Sequence, residues 1–108
     1  MEIKVTVNGD VTLLEIVKDG NPVSPQNPVT HKELSGLKES VSANVSGGSL
    51  AIISGMPGWA TAAVALQVKN LFSAIAMFDP RISEGKPGAL IVHSVSPSYE
   101  VGQILPLG

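Results

Sequence analysis

The chain has 108 residues, 44% hydrophobic and 15% charged, with a net charge of −2 and no cysteine. A disulfide framework, a zinc–thiolate site and a thiol nucleophile are therefore excluded. The acidic balance also argues against a broad basic surface for nonspecific nucleic-acid binding. One domain spanning residues 1–108 is expected. No apolar run reaches the ~18 residues that a membrane span needs. Met1-Glu2-Ile3-Lys4 starts with strand-like alternation and not with a leader, so the expectation is a soluble, cytoplasmic protein. A domain this small buries only ~60–70% of its unfolded surface. The surplus of apolar residues hints at burial between subunits.

Ile3 to Val7 alternates apolar and polar residues, and Val11 to Val17 is a second β-rich run. Asn8-Gly9-Asp10 between them suits a tight turn, which predicts a β-hairpin. Residues 19–28 hold Gly20, Pro22, Pro25 and Pro28 and read as a loop. Thr30 with Glu33 forms a capping-box pattern ahead of Leu34, Leu37 and Val41, a narrow stripe at helical spacing. Leu50 to Ile53 is a short buried strand. The segment from Trp59 to Phe72 reads as a helix and Ala74 to Phe78 as a buried strand that stops abruptly. Ile82 to Pro87 reads as a loop, Ala89 to His93 as another strand and Val101 to Leu105 as a last edge strand. The order ββαβαβββ predicts an α+β fold, a distorted ferredoxin-like sandwich with helices on one face of a mixed sheet.

The helix from Trp59 carries a single charge, Lys69, and lacks the polar half expected of a surface helix. Ala63, Leu66 and Leu71 are expected to cover the sheet. The opposite face then needs a second cover, most simply another copy of the chain, which predicts a homo-oligomer. The N-terminal hairpin folding over the helix is the alternative.

Two segments carry candidate chemistry. Ser54-Gly55-Met56-Pro57-Gly58 joins a buried strand to the apolar helix. Gly55 and Gly58 permit close backbone approach, Pro57 suits the first helical position, and free amides there can hold a phosphate. Neither the Walker nor the dinucleotide pattern is present, so a tight connection without a ligand competes with this reading. Asp79-Pro80-Arg81 is the second. Arg81 is the chain's one arginine, and its planar fork suits a phosphate. If the two strands are neighbours, Asp79 and Ser54 share one sheet edge beside a helix start. The competing reading is an exposed Asp-Pro turn with a weak ion pair. His93 closes the next apolar strand and is a candidate for proton transfer.

In this order, Ile52-Ile53-Ser54-Gly55, the Pro/Gly-Trp helix start, Ala76-Met77-Phe78-Asp79-Pro80-Arg81 and Gly88 to Ser94 resemble the CRISPR-associated Csx-three family. The resemblance covers about residues 50–105. It implies a ring nuclease of type III CRISPR defence, which binds cyclic tetra-adenylate between subunits and cuts it, with Mn²⁺ as a supporting cofactor. It places Ser54, Gly55, Met56 and Pro57 against the ligand and Asp79 and Arg81 at the scissile phosphate, with Asp79 as a candidate metal ligand. A family histidine near the end of the central helix falls on Asn70. An amide can hydrogen-bond a phosphate or ribose but cannot exchange a proton near neutral pH. Two further readings follow: a module that senses or sequesters the messenger without cutting it, and an RNA-binding or RNA-trimming protein. The acidic charge and the scarcity of aromatic residues speak against the last.

Overall fold

The computed structural model describes residues Met1 to Gly108. It contains β1 (Glu2–Asn8), β2 (Val11–Lys18), β3 (Asn21–Pro22), α1 (Leu34–Asn44), β4 (Gly48–Ser54), α2 (Gly58–Val68), β5 (Phe72–Ser83), β6 (Lys86–Ser94) and β7 (Ile104–Pro106). A 3-10 turn, His31–Glu33, leads into α1. The sheet order is β1-β2-β4-β5-β6-β7, with the two-residue β3 beside β2. β2, β4 and β5 run parallel, and all other neighbours are antiparallel. Both helices lie on one face of the mixed sheet, so the fold is the expected distorted ferredoxin-like sandwich.

The hairpin forms as the alternation predicts, with Asn8 and Val11 closing a two-residue turn. At the start of the first helix, the Thr30 amide donates to Glu33 Oε2 at 2.8 Å. Lys18 Nζ lies 3.5 Å from the other carboxylate oxygen. The backbone hydrogen bond from Thr30, followed by the charge of Lys18, holds the Glu33 carboxyl below the usual glutamate range.

Strand alternation sorts the core into two clusters. Leu14, Ile16, Ala51, Ile53 and Ile75 meet Leu37 and Val41 of α1 and Ala60, Val64 and Val68 of α2. On the opposite, open face, Leu50, Ile52, Ala74, Ala76, Ala89 and Ile91 pack under Tyr99 and Leu105. The sheet ends approach each other on that side. Leu107, just past β7, lines a cavity of about 410 Å³ together with Thr6 and Asn8 of β1.

Several boundaries differ from the sequence reading. α2 ends at Val68, and Lys69 and Asn70 form the turn into β5. The sheet side of α2 is therefore Ala60, Val64 and Val68. Leu66, expected beneath, is 75% exposed, and Leu71 lies outside the helix and is exposed. Small residues let α2 approach the sheet, which turns the larger Trp59 and Leu66 outwards. β5 does not stop at Phe78. It continues to Ser83 and returns through Glu84-Gly85 into β6, so the expected loop at 82–87 is a hairpin end. β7 begins only at Ile104, after a turn at Val101-Gly102.

Candidate functional site

β4 and β5 are parallel neighbours, with Ile53 opposite Met77 as the last pair. Continued by one step, that register sets Ser54 level with Phe78, and the chain leaves β4 at Gly55, against Ile16 of β2. The two candidate segments therefore do meet at one end of the sheet. Gly55 has φ +135°, and a Cβ there would lie 3.0 Å from Ile16 Cβ. Only glycine meets both demands without strain. Gly58 has nothing within 4 Å of a Cβ position, so the close approach expected of it is absent. Pro57 is the N-cap and Gly58 the first helical residue, one position later than expected. The Pro57 carbonyl accepts from the Ala60 and Thr61 amides at 3.0 and 3.2 Å. This leaves the Gly58 and Trp59 amides, which have no i−4 partner, directed out of the helix start.

Asp79 and Arg81 lie within β5 on a stretch where its register against β6 breaks, between Asp79 and Ser83. Such an irregularity bends a strand and re-aims its side chains. Asp79 Oδ1 accepts the Arg81 amide at 2.8 Å, fixing the corner through the backbone and not through a carboxylate–guanidinium pair. Both side chains are exposed, and no ion pair joins them. The competing reading of a weakly ion-paired turn is thus not what forms. Asp79 Oδ2 and the Arg81 guanidinium are open to a ligand.

Alternation places Ser54 and Phe78 on the open face, because Ile52 and Ala76 lie there. Asp79 follows Met77 to the helix side. Ser54 and Asp79 share an end of the sheet but occupy opposite faces.

Asn70 and His93 stand at the other end. Asn70 precedes β5, and from Phe72 to Asp79 is seven steps of about 3.3 Å, roughly 23 Å. His93 pairs with Ile75, four steps or about 13 Å from Asp79 along the strand. As the end of the next apolar strand, His93 is a candidate for proton transfer at the corner only if that strand runs parallel to β5. β6 runs antiparallel, so within one chain His93 lies at the far end instead. Val92 is the extra residue where the β5–β6 register shifts between Ile75 and Ala76. Val92 and His93 line a cavity of about 170 Å³ with Ala65, Leu66, Lys69 and Ile75. Lys69 is the cation of this second cluster. Its role was hidden because it reads as the end of a helix.

No group of three His, Asp, Glu or Cys side chains comes together anywhere in the chain. Asp79, with one oxygen already engaged, stands without a second protein donor. The residues of one chain do not fit a resident Mn²⁺ ion, which needs several oxygen or nitrogen ligands around it. No helix is long and apolar enough to cross a membrane.

The sequence matches the family described as CRISPR-associated protein (Cas_csx3) over residues 23–106. That span takes in α1, β4, α2, β5, β6 and β7, and with them both clusters. No curated protein matches the chain.

Proposed function

Since the chain belongs to the CRISPR-associated Cas_csx3 family, we propose that it binds cyclic tetra-adenylate, the messenger of type III CRISPR defence, and cleaves it as a ring nuclease. The observation that carries the proposal is the split of the polar groups. Ser54, Gly55, Asp79 and Arg81 stand at one end of the sheet, and Lys69, Asn70 and His93 at the other. Neither group is a complete site for phosphodiester cleavage. A second copy of the chain that sets its Asn70 end against the Asp79 end of the first makes one. The exposed apolar strip of Trp59, Leu66 and Val92 supports association, since such side chains cluster on faces that bind another protein.

In the proposed reaction, a ribose 2′-OH attacks the adjacent phosphorus in line with the leaving 5′-oxygen. A P–O bond to O2′ forms, the bond to O5′ breaks, and a 2′,3′-cyclic phosphate and a 5′-hydroxyl result. Holding the attacking group in line supplies several kcal/mol of the barrier. Arg81 binds a non-bridging oxygen and stabilises the charge gathering on it. Asp79 Oδ2 takes the 2′-OH proton, while Oδ1 stays on the Arg81 amide and keeps the corner rigid. The Gly58 and Trp59 amides, after Met56 and Pro57, seat a neighbouring phosphate. Asn70 of a second copy holds a ribose or phosphate by hydrogen bonds, and His93 of that copy gives the leaving oxygen its proton.

Asn70 favours a second reading, in which the chain holds the messenger without cutting it, because an amide cannot replace a histidine as proton donor. One assay separates the two. Purified protein is incubated with cyclic tetra-adenylate, with and without Mn²⁺, and the mixture is resolved by chromatography. Linear products that vanish in Asp79→Ala and Arg81→Ala support the nuclease. Tight binding without products supports the sensor, and no binding refutes both.

A further inference from the structure

The open face of the sheet carries a polar row at the end where Ser54 lies, and Thr6 and Asn8 add further polar groups to it along β1. Strand register places Lys4 opposite Glu15 and Glu15 opposite Ser54, with Phe78 next in line. Glu15 is on this face because Leu14 and Ile16 on either side of it belong to the helix-side core. Glu15 and Ser54 are half-buried, yet neither side chain makes a hydrogen bond or ion pair within the chain. Phe78 is 38% exposed, although its neighbour across the ladder, Ala89, is fully buried. The aromatic residues are few, but two of the four, Trp59 and Phe78, are exposed near this end of the sheet. Phe72 is buried, and Tyr99 packs on the open-face core. The cavity of about 410 Å³ begins one row further in, at Thr6, Leu13 and Ile52, and lies within the ~300–1,000 Å³ range of ligand pockets.

We infer that Phe78, Ser54 and Glu15 read one nucleobase of the bound ring, and that this row selects adenine. The inference rests on the proposed function and adds to it the residues that choose the base. The Phe78 ring stacks on the base, as exposed aromatics do when they bind unpaired nucleotides. The Glu15 carboxylate has only acceptors, so it pairs with the exocyclic amine of adenine and repels the carbonyl that guanine or hypoxanthine carries there. Ser54 donates or accepts at the neighbouring ring nitrogen. Lys4 keeps Glu15 from standing as a lone negative charge near the phosphates. Phe78 faces the open side and Asp79 the helix side of one strand end, so a ring that straddles this end sets its base on Phe78 and its phosphate against Asp79 and Arg81.

The test compares binding of cyclic tetra-adenylate with that of the same ring carrying hypoxanthine, by isothermal titration. The natural protein is expected to favour adenine by about 10- to 100-fold, the usual discrimination of a good base-edge contact. Glu15→Gln brings the ratio close to one, since an amide offers both a donor and an acceptor. Phe78→Leu, which keeps an apolar side chain but removes the π-face, weakens binding by about 10- to 100-fold, and Phe78→Trp restores it. Thermal unfolding checks that the variants are folded. Unchanged selectivity in Glu15→Gln, or unchanged affinity in Phe78→Leu, overturns the inference while leaving the proposed function standing. A natural protein that binds neither ring removes both.

Discussion

Gly88 lies opposite Asp79 on β6, buried under the bend that presents Arg81. A methyl added there would stand 2.9 Å from Ile82 Cγ2 and 3.1 Å from both Ser83 Cβ and the Leu105 carbonyl oxygen. The Ile82 methyl can rotate, but the Leu105 oxygen belongs to the backbone of the β6–β7 edge, and Ser83 is tied into the hairpin. Relief therefore comes from shifting the bend. Overpacking of this kind costs about 1–3 kcal/mol. For a domain of this size that lowers the melting temperature by about 4–20 °C. Gly88→Ala is expected to melt lower by this amount and, where still folded, to bind the messenger more weakly because Arg81 is displaced. Gly58→Ala is the contrast, with nothing within 4 Å of the new methyl at a helix position. It should gain about 0.4–1 kcal/mol through reduced freedom of the unfolded chain. Circular dichroism melts of the two variants decide the matter. Equal shifts, or a Gly88→Ala protein as stable as the parent, would refute the reasoning about the bend.

Replacing Leu66 with lysine places a charge on the strip between Trp59 and Val92 without touching the core, since Leu66 is 75% exposed. Light scattering should show a smaller assembly, and the melting temperature should lose its dependence on protein concentration, whereas an unchanged mass would remove this strip from the interface. The depressed Glu33 carboxyl gives a pH test. A carboxylate whose folded pKa lies below its unfolded value stabilises the fold above the unfolded value, near 4.5, and loses that contribution as pH falls through the folded one. Glu33→Gln should lower stability at neutral pH and flatten the fall in stability below about pH 4.5 in acid titrations. A parallel loss in both proteins would assign the acid limb to other carboxylates.

Much of the fold was legible because its signals are local. The alternation in Ile3–Val7, the Asn-Gly turn, the Thr30–Glu33 cap and the apolar run at Leu50–Ile53 each need only a few residues to be read. The meeting of Ser54-Gly55 with Asp79 was also within reach, because parallel strands bring their ends to one edge. Strand direction beyond that was not. His93 ends its strand just as Ser54 does, and only the antiparallel pairing of β5 with β6 places it at the far end. The outward turn of Leu66 depends on alanines elsewhere on α2 letting the sheet come close, which hydropathy does not record. Glu15 was invisible as a candidate because it lies 39 positions from Ser54 in sequence and meets it only through the β2–β4 register. Lys69 looked like a helix residue until the helix ended one position before it.

The central claim is that the two polar groups of one chain work only with those of a second copy. Arg81→Ala removes one half of each proposed shared site, and a double variant, Asn70→Ala with His93→Ala, removes the other. Each protein alone should be inactive on cyclic tetra-adenylate. Mixed in equal amounts and allowed to exchange subunits, a two-fold pair should be mixed about half the time, and each mixed pair regains one intact site of two, or about a quarter of full activity. Recovery near that level is the result the account predicts. Two active parents, or two inactive ones that stay inactive after verified exchange, would contradict it.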